Sequence, residues 1–210
     1  SRRNLALRGE ESFAKVMDMA EYARREINEI GGYYAYGKEL VNGTSVYDYD
    51  VTKLSVHTLG LGLAGIEVYD LLRDEYDIQI EFGDVSNILA YISIGDRLQD
   101  IERLVGALAD IARIYKKDST GMLSGEFISP IVARSPQEAF YSAKESLPVE
   151  KTEGRISGEF VMCYPPGIPI LAPGEMITDE IIQYILYVKE KGCSMQGTED
   201  KSVNKLKVLV

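Results

Sequence analysis

The 210-residue chain is 45% hydrophobic and 27% charged, the balance of an ordinary globular protein long enough to bury a core. Its 33 acids against 23 bases leave a net charge of −10, which argues against nucleic acid or an anionic membrane as partner, because phosphate binding needs a basic footprint. No apolar run approaches the roughly 20 residues of a membrane span, "SRRNLALRGEESF" has no signal-peptide core, and Cys163 and Cys193 are too few for a disulfide framework or a zinc cluster, so a reducing cytoplasm is expected.

"ESFAKVMDMAEYARREINEI", 11 to 30, places Phe13, Val16, Met17, Ala20, Ala23 and Ile27 at helical spacing, and Gly31-Gly32 ends the run. "YYAYG" leads into a loop with turn chemistry at Asn42-Gly43. "VTKLSVHTL", 51 to 59, alternates and is β-branched, which predicts a strand. A glycine turn follows, then a short amphipathic helix over 66 to 76 and a short strand in "DIQIEFGD". "NILAYISIG", 87 to 95, predicts a buried strand, and 96 to 117 a helix with Asp96 as N-cap. This order describes an α/β sandwich. The stretch 118 to 135 reads as a crossing linker.

Ser135-Pro136 opens a predicted helix, "PQEAFYSAKE", with proline in the first turn. "LPVEKTEGRISGEFVMCY" predicts two short strands. Thr178 caps "DEIIQYILYVKEKG", whose early acids and late lysines complement the helix dipole, and Gly192 stops it. "KLKVLV" closes the chain as a strand. Between these, "FVMCYPPGIPILAPGE" holds four prolines and two glycines and predicts a rigid loop leaving a strand, either a packed corner or a wall of a site.

Several residues could carry chemistry. The sole histidine, His57, is the one residue on which a metal site or a Ser/His/Asp triad could hang; a packed or exposed strand histidine is the plainer reading. Gly60, Gly62 and Gly65 satisfy G-x-G-x-x-G, a phosphate-cradling pattern or a plain strand-to-helix turn. Glu81 and Asp84 are neighbouring carboxylates that could hold an ammonium or guanidinium group or be solvated loop acids. Cys163 beside the proline stretch has no base nearby in sequence and reads as a packing residue.

"GRISGEFVMCYPPGIPILAPGE" resembles the C-terminal signature of the bacterial ornithine/lysine/arginine decarboxylases. Arg155, Ile156 and Ser157, then Tyr164 through Pro169, and Pro173-Gly174-Glu175 carry it. "YDYDVTKLSV", "IEVYDLLRDEYDIQIEFGDVSNILAYISIGD" and "SPQEAFYSAKESLPVEKTEGRIS" agree in matching order, with the arginine-decarboxylase-like branch nearest.

The resemblance implies an α/β (α+β) fold: the small and C-terminal domains of a fold-type I pyridoxal phosphate enzyme, with its large cofactor domain missing. Residues 1–46 would be the tail of the cofactor domain, 47–130 the small domain, and 131–210 the C-terminal domain. The family's Schiff-base lysine follows a histidine in Ser-x-His-Lys, whereas His57 precedes Thr58. The intact enzyme would use pyridoxal phosphate as electron sink to decarboxylate arginine, lysine or ornithine to a polyamine precursor. The isolated fragment would bind no cofactor, contain no catalytic residue and be inactive.

The Glu81–Asn87 spacing matches the family's glutamate for the substrate's distal amine, with Asp84 a weaker companion. Arg155, Cys163 and Tyr164 would be weaker pocket residues still. The implied partners are a basic amino acid and further copies of the chain, as a dimer or larger assembly. Rival readings are a non-catalytic assembly module on the same fold, or an aminotransferase in which Arg155 grips the α-carboxylate.

Overall fold

The computed structural model describes residues 1–118 and 128–210, so the part of the predicted linker over 119–127 lies outside the described residues. The chain divides into two compact units, Ser1–Met122 and Leu123–Val210.

In the first unit, helices α1 (Arg2–Ile30), α2 (Gly65–Asp74) and α3 (Leu98–Ile114) share a core with an antiparallel sheet of β1 (Tyr34–Ala35), β2 (Lys53–His57), β3 (Phe82–Gly83) and β4 (Asn87–Tyr91), in spatial order β1-β2-β4-β3. Alternation sets the faces. Leu54 and Val56 of β2 and Ile88 and Ala90 of β4 are buried against Val16, Ala20 and Ile27 of α1 and Leu104, Leu108 and Ile111 of α3. The opposite face carries Lys53, Ser55 and His57 beside Asn87, Leu89 and Tyr91, and is only partly covered. Arg24, 5% exposed, fastens α1 to the following loop: Nε donates to Tyr36 O at 2.6 Å, Nη2 to Val51 O at 3.1 Å, and Nη1 faces Glu21 Oε1 at 3.1 Å.

The second unit holds α4 (Pro136–Tyr141), α5 (Asp179–Glu190), the pair β5 (Lys144–Pro148) with β9 (Lys205–Leu209), and a sheet of β6 (Val161–Tyr164), β7 (Ile168–Leu171) and β8 (Ser194–Gln196) in order β7-β6-β8. Its core gathers Val149, Val161, Leu171, Ile177, Ile181, Ile185, Leu206 and Val208. Thr178 caps α5 as predicted, its Oγ1 accepting from Ile181 N at 3.3 Å, with Asp179 and Glu180 in the first turn. Thr178→Ala is expected to cost about 1 kcal/mol of stability, read as a lower urea midpoint with unchanged slope.

Several expectations change. Helix α1 begins nine residues earlier than the predicted residue 11. The predicted helix 136–145 stops at Tyr141. Ser142 leaves the helical region with its N and Oγ both donating to Glu138 O, and Lys144–Pro148 pairs residue by residue with β9, so ladder bonding outweighs helix propensity there. Asp96 is not the cap of α3. Its Oδ2 accepts from Ser93 N at 2.6 Å to close the preceding turn, while Asp100 Oδ2 takes Arg97 N at 3.0 Å.

The proline stretch is a hairpin rather than a loop: β6 turns through Pro165, Pro166 and Gly167, with Gly167 N donating to Cys163 O at 2.9 Å and φ at +92°, and returns as β7. Pro169 sits in an edge strand, where a missing N–H is tolerated.

Candidate functional site: the β3–β4 turn and the proline hairpin

In the first unit, Asp84 begins the turn into β4. Its Oδ1 accepts from Ser86 N at 2.8 Å and Asn87 N at 2.6 Å, and its backbone exchanges bonds with Ile66 and Asn87. The Asp84 carboxylate is therefore spent on shaping the turn. Glu81 differs. It is exposed, its backbone N is held by Leu89 O at 3.0 Å, and its carboxylate has no hydrogen bond or ion pair among the described residues. It lines a groove of about 440 Å³ with Ile80, Ile92, Ile101 and Leu104. Of the other acids there, Asp96 serves Ser93 and Asp100 serves Arg97. Glu81 is thus the carboxylate in this groove able to take an incoming ammonium or guanidinium.

The glycine turn has a structural account. A Cβ on Gly60 would run into Gly32 O, one on Gly62 into Lys117 O, and one on Gly65 would overlap Asn87 O. Gly62 also stands at φ +71°, in the left-handed region. The start of α2 is already served from within the protein: Ile66 N donates to Asp84 O at 2.7 Å, and Ala64 N to Glu67 Oε2 at 2.8 Å, with Glu67 Oε1 also paired to Lys117 Nζ at 2.7 Å.

Next to this turn the open sheet face ends in a polar group: Asn87 Oδ1 accepts from Tyr36 OH at 3.0 Å and lies 3.3 Å from His57 Nδ1, while Asn87 Nδ2 faces the Asp84 carboxylate. Burial, then the Asp84 charge, raises the Tyr36 phenol above its ordinary range. Tyr36 was not among the expected site residues. It stands 51 positions from Asn87, and no local pattern joins them.

In the second unit, Arg155 Nη2 donates to Glu145 Oε1 at 2.6 Å and Leu209 O at 2.7 Å, so in this arrangement it ties the end of β9 to β5. It borders a cavity of about 530 Å³ together with Arg134, Glu138, Tyr141 and Ser142. Cys163 is buried on β6 opposite Met195, and Tyr164, half exposed, is the last strand residue before the hairpin turn. Glu81 and Asp84 thus belong to one unit and Arg155, Cys163 and Tyr164 to the other.

Comparison with known proteins agrees with this architecture. Residues 124–201 match the family described as Orn/Lys/Arg decarboxylase, C-terminal domain. Over its whole length the chain is 38% identical to an arginine decarboxylase of Halalkalibacterium halodurans and 37% identical to one of Bacillus subtilis, spanning 43% of each. The crystal structure of a Francisella novicida lysine decarboxylase superposes with a TM-score of 0.66 at 19% identity, over 96% of this chain and 40% of that one.

The chain therefore has a mixed α/β fold shared with part of the lysine decarboxylase structures. More narrowly, it carries an Orn/Lys/Arg decarboxylase C-terminal domain and is homologous throughout to arginine decarboxylases, of which it spans less than half the length.

Proposed function

We propose that this chain is the substrate-binding and assembly portion of a pyridoxal phosphate-dependent decarboxylase of basic amino acids, arginine foremost, making polyamine precursors in the cytoplasm. The observation that carries this reading is whole-chain identity of 38% to an arginine decarboxylase, joined to a carboxylate, Glu81, that has no hydrogen bond or ion pair among the described residues and borders a groove lined by both apolar and polar side chains. A carboxylate matches a guanidinium or ammonium in charge and in hydrogen-bond geometry. Residues 1–46 are read as the tail of a cofactor domain, 47–130 as the small domain and 131–210 as the C-terminal domain, in a dimer or larger assembly.

The described residues do not assemble a cradle for pyridoxal phosphate. His57 precedes Thr58 rather than lysine, and the start of α2 is engaged by Glu67 and Asp84. The reading assigns the cofactor to a part of the enzyme other than these residues. Arg155 is committed to Glu145 and Leu209 O, which favours the decarboxylase reading over an aminotransferase that would need that guanidinium for an α-carboxylate.

Two measurements test the proposal. The purified chain with added pyridoxal phosphate is expected to release no CO₂ from arginine, lysine or ornithine. A chimera in which these residues replace the homologous 43% of the Bacillus subtilis enzyme is expected to decarboxylate arginine. Turnover by the chain alone, or a folded chimera with its cofactor bound and no turnover of any of the three amino acids, would overturn it.

A further inference from the structure

The sole histidine is held in a way the decarboxylase reading does not use. Asp84, as a carboxylate, only accepts hydrogen bonds, and it faces one end of the Asn87 amide, at 3.4 Å from Oδ1 and 3.5 Å from Oδ2. That end must be the nitrogen. The other end, Oδ1, then faces Tyr36 OH at 3.0 Å and His57 Nδ1 at 3.3 Å. An amide oxygen only accepts, so both neighbours must donate, and the proton of a neutral His57 ring resides on Nδ1.

We infer that the Asp84–Asn87 pair locks His57 as the Nδ1–H tautomer and leaves Nε2 as an oriented acceptor at the open end of the sheet, a subsite for the N–H of an organic cation. The surroundings suit a cation. Tyr34 is the cross-strand neighbour of His57, its ring packs edge-on against Tyr36 with centroids 5.1 Å apart, and its OH donates to the Glu39 carboxylate at 2.6 Å. Two aromatic rings and one imidazole acceptor thus stand together at this end of β1, β2 and β4, with the Glu39 carboxylate bonded to the Tyr34 hydroxyl. The cation on the same face of β2, Lys53, is engaged over the Tyr91 ring at 3.6 Å, at the far end of the strand.

A single histidine makes the test direct. In the intact chain labelled with ¹⁵N-histidine, long-range ¹H–¹⁵N correlation of the neutral ring is expected to show a protonated Nδ1 and a bare Nε2, the reverse of the tautomer favoured by free histidine. Asn87→Leu is expected to return the ring to Nε2–H, whereas Tyr36→Phe, which leaves the Asn87 contact, is expected to keep Nδ1–H. Titrating the chain with methylguanidinium should shift the Nε2 resonance. Tetramethylammonium, equally charged but without an N–H, should not. An Nε2–H ring in the unmutated protein would overturn the lock, and this reading needs no variant to fold. Equal responses to the two cations, or none to either, would overturn the subsite.

Discussion

Gly65→Ala is expected to lower the stability of the first unit by about 3 kcal/mol or more, the range of severe overpacking. The reason is positional. The added Cβ would overlap Asn87 O and crowd Asp84 O, two backbone carbonyls that cannot rotate away as a side chain could. Those carbonyls belong to the turn where Asp84 N donates to Asn87 O and Ile66 N to Asp84 O. Relief would have to come from displacing α2 or from opening the β3–β4 turn, and either breaks bonds that hold Asp84 and Asn87. The control is Gly106→Ala. Gly106 lies inside α3 with nothing within 4 Å of the new methyl, so it should gain roughly 0.5–1 kcal/mol from helix propensity. Urea unfolding of the two variants beside the parent measures both. Equal small effects would mean that α2 is free to move away from the turn, and the close backbone approach would not explain this glycine.

The long periodic elements were legible because each carries its own pattern. Helix α3 buries Ile101, Leu104, Leu108 and Ile111 at helical spacing, and α5 has a capping threonine and a stop glycine. What failed was decided by partners distant in sequence. Strands β1 and β8, of two and three residues, are too short to show alternation and exist because β2 and β6 offer open edges. "AKE" reads as helix locally, yet β9, some 60 residues on, pulls Lys144 and Glu145 into a ladder. The proline stretch was legible as rigid, but its return as β7 depends on Val161 finding Leu171 across the hairpin. Among the site residues, the local sequence marks Glu81 and Asp84 alike as paired carboxylates, and only the family resemblance sets Glu81 ahead. The sequence placed Asp84 beside it, and only the turn geometry separates a carboxylate with a free hand from one engaged by two backbone amides.

In the arginine-active chimera, Glu81→Gln is expected to raise KM for arginine about 10- to 100-fold while kcat changes much less. A hydrogen bond to a charged group contributes roughly 1.5–3 kcal/mol, and a contact made equally in ground and transition states appears in KM. Glutamine keeps the length and an acceptor oxygen but not the charge, so the loss measures charge pairing rather than shape. A second readout isolates the same quantity. Citrulline is nearly isosteric with arginine but uncharged, and its competition against arginine should improve about tenfold in the variant, since neutralising Glu81 penalises only the cation. Asp84→Asn should leave KM for arginine unchanged, because an amide oxygen can still accept from Ser86 N and Asn87 N and the carboxylate charge of Asp84 is directed into the protein. Should Asp84→Asn raise KM while Glu81→Gln does not, the two acids would exchange roles. The recognition site would then lie at the Tyr36–His57–Asn87 end of the sheet instead of the groove lined by Ile80, Ile101 and Leu104.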